Sequence, residues 1–371
     1  MALKIKQYLQ QETVLIIAWI LAIASSFFVI PGLEYLNYID WDTLALLLAL
    51  MIVMAGFKSL GLFSTMGHML LSKVKSERAV EAVMVMACFF SSMFITNDVA
   101  LITFVPFALE TLKMAGMKDK ILSVVVFQTI AANLGSMVTP IGNPQNIYLY
   151  FQSGFSAAQF LAITLPYAVV SLLLLGAFIV LKKNKKLSLE MTEEAQKPAD
   201  KKMLLFYGLM FALCLASLSR VISVCLVALI VVALVLVRDR ESLGQVDYSL
   251  LFTFIGFFIF VGNIQHMPIL SDAIASMLKG NELLATIGIS QVISNVPAVL
   301  LLTGFTHSWK MLIVGSNLGG LGTLIASMAS LISYKYVAKE CPTDKMKYMG
   351  MFTAANAFFL GANLLVVLFL G

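Results

Sequence analysis

Apolar runs long enough to cross a bilayer recur along this chain from one end to the other. A hydrocarbon core of about 30 Å needs roughly 20 helical residues, and runs of that order predict spans at about 13–30, 43–60, 121–150 and 157–181. A longer apolar stretch, 79–112, carries Thr96-Asn97-Asp98 at its centre. It is too long for one crossing, so it predicts a re-entrant helix hairpin with a polar tip inside the membrane. Beyond residue 202 the pattern gives spans at about 203–217, 220–237 and 248–263, a second hairpin at 283–304, a span at 311–333 and a last one at 349–370.

The 121–150 run cannot be a regular helix. It contains Asn133-Leu-Gly-Ser-Met-Val-Thr-Pro-Ile-Gly-Asn-Pro-Gln-Asn-Ile147, whose glycines and prolines would leave backbone groups unpaired in lipid unless they line a protein-enclosed cavity. A weaker copy runs from Asn317 to Ile325: Asn133, Gly135, Thr139 and Ile141 recur as Asn317, Gly319, Thr323 and Ile325, each 184 positions on. Paired interrupted spans in two halves mark a repeat-built secondary transporter. The second span also opens alike in both halves, with Ile39-Asp-Trp-Asp and Val246-Asp-Tyr-Ser.

The polar, lysine-rich segment 182–202 divides the chain into a first repeat, 1–181, and a unit at 203–371 made of one extra span and a second repeat. Counting four net crossings, one extra and four more places the second repeat upside down. The fold expected is therefore an all-α polytopic membrane protein of two inverted repeats, each with a re-entrant hairpin and a broken transmembrane helix.

Composition agrees. The 371 residues are 60% hydrophobic and 12% charged, with a mean hydropathy of +0.94, against roughly 25% charged residues in soluble domains. The net charge of +5 is no sign of nucleic acid, because the basic residues follow membrane topology. With the N-terminus inside, all but Lys58, Arg220, Lys279 and Lys310 of the 25 Lys and Arg fall on the cytoplasmic side, as the positive-inside rule requires. The C-terminus is then expected outside, in a cell (inner) membrane. Cys88, Cys214, Cys225 and Cys341 form no CxxC pair, and His68, His266 and His307 form no HExxH. No protein-bound cofactor is expected, and an intramembrane enzyme would need a facing catalytic pair that the single deep acid, Asp98, does not supply.

Candidate binding residues follow from the breaks and tips. Asp98 stands deep in the membrane, where acids are costly and serve ions or protons; capping of a half-helix is the structural alternative. Thr96, Asn97, Ser294 and Asn295 are the other tip residues, with Gln291 one turn before the second. The first break contributes Asn133, Ser136, Thr139, Gly142, Asn143 and Asn146, and the second Ser316, Asn317, Gly319, Gly322, Thr323 and Ser327. Hydroxyls, amides and freed carbonyls suit Na⁺, with Asn97, Asp98, Asn143 and Asn295 as candidate ligands, while half-helix N-termini suit an anion. Helix–helix hydrogen bonding and small-residue packing are the alternatives for Ser294, Asn295 and the glycines near 320.

Thr96-Asn-Asp-Val-Ala-Leu101 followed by Thr139-Pro-Ile-Gly-Asn-Pro-Gln-Asn146 resembles the ion transporter superfamily, and within it the bacterial citrate-transporter-like permeases related to arsenite permeases and to divalent anion/sodium symporters. The resemblance spans nearly the whole chain. It implies two re-entrant hairpins, two broken helices, a homodimer and elevator-type alternating access for a small anionic substrate coupled to Na⁺ or H⁺. It pairs Thr96-Asn97-Asp98 with Asn133 to Asn146 as one site, and Ser294-Asn295 with Ser316 to Ser327 as the other. Two departures stand out: Asp98 replaces the Thr of the Ser-Asn-Thr tip of the dicarboxylate branch, and Val296-Pro297 follows Asn295 where Thr would stand. The acid resembles the arsenite-permease pattern and brings in H⁺ coupling, arsenite efflux or Na⁺/H⁺ antiport as the alternative function.

Overall fold

A computed structural model describes residues 12–71, 74–182, 184–186 and 200–370. Among them the secondary structure is helical, with no strand. Five helices are long and apolar enough to cross a membrane. In lipid, a helix satisfies its own backbone groups, so an apolar run has no cheaper conformation.

The first half runs α1 (Thr13–Ser26), α2 (Trp41–Ser59), α3 (Leu62–Leu71), α4 (Glu77–Ile95), α5 (Asn97–Met114), α6 (Ile121–Ser136), α7 (Pro144–Ser153) and α8 (Ala157–Val180). The second runs α9 (Lys201–Ser217), α10 (Val224–Arg238), α11 (Tyr248–Gln265), α12 (Pro268–Leu278), α13 (Glu282–Ile293), α14 (Asn295–Leu302), α15 (Trp309–Gly319), α16 (Met328–Glu340) and α17 (Lys345–Leu370). From α1 and from α10 onward the elements follow one another in the same order, with α9 as the additional helix.

The matched aspartates act alike. Asp40 accepts from Thr43 N at 3.0 Å and Thr43 Oγ1 at 2.8 Å at the start of α2. Asp247 accepts from Ser249 N at 3.1 Å and Leu250 N at 3.3 Å at the start of α11. Each satisfies N–H groups that a helix start leaves orphaned. The halves are interlaced: α1 packs along α11, and α10 along α2. Asn263 on α11 donates to Ser25 Oγ and to Tyr35 Oη, both at 2.9 Å. Away from these helices, α4 packs along α6, α13 along α15, and α17 against α8 and α6.

Several expectations are adjusted. The first span is shorter than 13–30, ending at Ser26. The amphipathic helices α3 and α12 escape a search for uniformly apolar runs. Lys201 and Lys202, assigned to the linker, already belong to α9, while 187–199 lie outside the described residues. The first hairpin is also larger than a purely intramembrane device, its arms counting 19 and 18 residues, against 12 and 8 in the second. Its outer turns are polar. Glu77 N donates to Lys185 O at 3.0 Å, Arg78 N to Asn184 Oδ1 at 3.3 Å, and buried Glu81 pairs with Lys182. Glu81 is thus a buried acid that the sequence reading did not single out, in addition to the half-buried Asp98, and it is neutralised where it stands.

Candidate functional site

Both hairpins turn on a single strained residue. Thr96 has φ 68° and ψ 153°, and Ser294 has φ 75° and ψ 155°, a region that side chains other than glycine enter at a cost of order 1–3 kcal/mol. The turn lets α5 and α14 start at the very next residue, Asn97 and Asn295, which stand 198 positions apart. Matching strain at matching places is held by the surroundings in both.

Each break is tied to its hairpin through a threonine. Thr139 Oγ1 donates to Met93 O on α4, and Thr323 Oγ1 donates to Gln291 O on α13 at 3.2 Å. The two threonines are 184 apart and their acceptors 198 apart, as with the other matched break and tip positions. Gln291 adds what Met93 cannot: its Oε1 accepts Thr323 N at 2.9 Å, and its Nε2 donates to Gly319 O and Leu321 O, both at 3.0 Å. These bonds satisfy backbone groups that the end of α15 leaves free. Gly142 and Gly322 permit the two breaks. A Cβ on Gly142 would collide with the Ser136 carbonyl, and Gly322 has φ 117° with Gln291 packed against it.

At the centre the breaks cross. Asn133 Oδ1 accepts Asn97 Nδ2 at 2.9 Å and Ser327 Oγ at 3.1 Å, while Asn133 Nδ2 donates to Gly320 O at 3.4 Å and Ser330 Oγ at 3.5 Å. Its counterpart Asn317 donates to Asn146 Oδ1 at 2.8 Å. Ser330 lies 184 positions after Asn146, so each half's asparagine reaches the equivalent position of the other half. Asn146 Nδ2 closes the loop onto Ser136 O at 3.2 Å and Thr139 O at 3.4 Å, and Asn143 Nδ2 onto Ser136 Oγ at 3.1 Å. The second tip joins through Asn295 N, which donates to Ala326 O at 3.0 Å. Four helix N-termini, those of α5, α7, α14 and α16, therefore converge on one buried cluster of amides and hydroxyls.

Of the residues singled out from sequence, Asn97, Asn133, Ser136, Thr139, Asn143, Asn146, Asn295, Asn317 and Ser327 belong to this connected set. Ser294 Oγ turns to Asn295 Oδ1 at 3.4 Å. Ser316 stands apart, its hydroxyl bonded to Ile313 O at 3.1 Å within its own helix, and Thr323 is exposed. Gly319 packs against Ser290, whose Oγ would sit 2.6 Å from an added Cβ. Sequence reasoning passed over Ser330, which the 184-residue offset from Asn146 would have found. It also passed over Gln145, wholly buried with neither Oε1 nor Nε2 hydrogen-bonded, for which no sequence signal exists beyond its place in the Gly-Asn-Pro-Gln-Asn element.

Asp98 faces elsewhere. It lines a cavity of about 160 Å³ between the first tip, the first break, α2 and the start of α11. The walls are chiefly aliphatic, and the charged groups among them are Asp98, Asp247 and Lys58. Asp98 Oδ1 is buried without a hydrogen-bond partner. The position 198 residues on, Val296, lines a smaller pocket that also includes Asp247. No group of three or more His, Cys, Asp or Glu gathers for a metal among the described residues. Of the four candidate Na⁺ ligands, Asn97, Asn143 and Asn295 belong to the amide cluster, while Asp98 faces the cavity.

The chain resembles other membrane proteins over most of its length. It is 32% identical over 304 residues to the inner membrane protein YbiR of Escherichia coli, covering 80% of each chain. It is 30% identical over 311 residues to the uncharacterized transporter MJ0456 of Methanocaldococcus jannaschii, covering 83% of this chain and 84% of that one. A shorter match, 31% over 140 residues, covers 38% of this chain and 28% of the silicon efflux transporter LSI3 of rice. The sequence profile of the citrate transporter family matches residues 11–308. With that match over most of its length, and with its broken apolar helices, this chain belongs to the citrate transporter family, CitMHS.

Proposed function

We propose that this protein is a secondary active transporter of a small anion or oxyanion, driven by a coupling ion and working by alternating access. One observation carries the reading: four helix N-termini converge on the Asn133–Asn317 cluster. Each N-terminus is equivalent to roughly half a positive charge, so the cluster offers a bound anion positive potential and amide donors without a lysine or arginine. Oxyanions from inorganic ions to citrate share that chemistry.

Asp98 is the coupling group in this reading. Its unpartnered oxygen and aliphatic surroundings suit a proton, whereas Na⁺ prefers several oxygens and finds them among Asn97, Asn133, Ser327 and the carbonyls of the breaks. The elements bearing tips and breaks, α4–α8 and α13–α17, move as a body against α1, α2 and α9–α11. The two repeats are inverted in the membrane, with the N-terminus cytoplasmic, the C-terminus outside and the scaffold helices available for a homodimer. The acid at the first tip supports a second reading, efflux or Na⁺/H⁺ antiport with Asp98 alternating between protonated and ion-bound forms.

Uptake into proteoliposomes under separately imposed Na⁺ and H⁺ gradients tests both, with citrate, succinate, sulfate, phosphate and arsenite as substrates. Gradient-driven anion accumulation that disappears in Asp98→Asn supports the first reading. Proton movement driven by Na⁺, or arsenite exit driven by protons, with no anion accumulation selects the second. Full coupled transport by Asp98→Asn overturns both assignments of that residue.

A further inference from the structure

The cavity beside Asp98 is built for a different charge from the amide cluster. Leu50, Met54, Ala55, Ile102 and Ile141 are among its aliphatic walls, and two carboxylates line it against one lysine. Asp247 is occupied as the cap of α11, its Oδ1 also accepting Ser249 Oγ at 2.7 Å. Asp98 is not: Oδ1 has no hydrogen-bond partner, and the ion pairs formed among the described residues, Lys113–Glu340 and Lys182–Glu81, leave it out. Lys58 is exposed and makes no ion pair with it. A carboxylate in such a place lacks the donor that would offset its lost hydration.

The volume sets the size of what would fit. An apolar cavity of about 150 Å³ is large enough to take up benzene, and this one, about 160 Å³, is of the same size with a carboxylate in its wall. We propose that the cavity binds a small organic monocation, a ring-sized or short-chain apolar body carrying one ammonium group, which pairs with the Asp98 carboxylate in the cavity wall. The apolar body replaces water against the aliphatic walls while the ammonium supplies the counter-charge that no ion pair gives Asp98. A neutral isostere would gain the first contribution without the opposite charge, and an anion would meet two carboxylates. The proposal concerns binding to the purified protein and does not rest on the direction, substrate or coupling ion of transport.

Calorimetric titration of the detergent-solubilised protein with benzylammonium, benzyl alcohol and phenylacetate, each corrected for partition into empty micelles, tests it. Benzyl alcohol can donate a hydrogen bond to the carboxylate but brings no opposite charge, so on the ion pair alone benzylammonium is expected to bind at least about tenfold tighter than benzyl alcohol, with no binding of phenylacetate. Asp98→Asn keeps the shape and should bring benzylammonium down to the level of the alcohol. Ala55→Phe should fill the space and remove binding of both. Equal affinity of ammonium and alcohol for the unmodified protein overturns the proposal, as does an undiminished preference in Asp98→Asn or unchanged binding in Ala55→Phe. Should Asp98→Asn fail to fold, the ammonium-to-alcohol ratio and the Ala55→Phe variant still decide.

Discussion

Asn317 Nδ2 donates to Asn146 Oδ1 across 2.8 Å, joining the helix before the second break to the helix after the first. Neither break is therefore a local irregularity. Each half's interruption is completed by an amide from the other half, and the two sequence copies become one hydrogen-bonded cluster. The protein is a membrane transporter of this family, and the parts that distinguish it from a plain helical bundle are these crossings.

Replacing Asn146 tests the crossing. Asn146→Ala removes the acceptor of Asn317 and the donor to Ser136 O and Thr139 O. Membrane hydrogen bonds average about 0.6 kcal/mol with a maximum near 1.7. The expected destabilisation is about 1–3 kcal/mol, with loss of transport. Chemical unfolding in mixed micelles measures the first and proteoliposome uptake the second; an unchanged midpoint would show that the crossing carries no stability.

Gly142→Ala should be damaging out of proportion to one methyl group, because the added carbon meets the Ser136 carbonyl and backbone cannot step aside as a side chain does. Overpacking costs about 1–3 kcal/mol or more. Gly176→Ala and Gly208→Ala have nothing within 4 Å of the new carbon and serve as controls expected to match the unmodified protein in both expression and melting temperature.

The pair between buried Glu81 and Lys182 predicts a recovery. Lys182→Met leaves the carboxylate uncompensated and should cost about 3–5 kcal/mol. The double variant Glu81→Gln with Lys182→Met removes both charges and should regain most of that loss. A double-mutant cycle read by unfolding in micelles would show additive losses if the two side chains did not act together.

Thr139→Val and Thr323→Val each cut the tie between a break and its hairpin. The half-buried Thr139 should matter more than Thr323, which is exposed and whose break remains tied through the Gln291 amide. Melting temperatures of the two variants compare them directly, and a larger effect at Thr323 would contradict this ranking.

Much of the architecture was legible because lipid leaves the backbone few options. Gly142, Pro140 and Pro144 predict the first break, and Thr96-Asn97-Asp98 predicts the first tip, since polar groups and prolines inside an apolar run have no other place in a membrane. The 184-residue offset likewise finds the second break, whose boundary residue Ser327 corresponds to Asn143. Less visible were the short amphipathic helices α3 and α12, the polar outer turns of the first hairpin and the pairing of Glu81 with Lys182. These depend on mixed segments meeting a partner elsewhere in the chain.

The sequence by itself determined that the long apolar runs must be helical, where two of them must break and that the pattern recurs, because these follow from covalent order and the cost of unpaired backbone in lipid. Only the tertiary structure decided which amides satisfy one another and which polar atoms are left over. Asn133 and Asn317 look equivalent in sequence, yet Asn133 Oδ1 accepts two bonds while Asn317 Oδ1, Gln145 and Asp98 Oδ1 are left without partners. Hydrogen bonds reach about 3 Å, and which groups come that close is set by the packing of helices far apart in the chain.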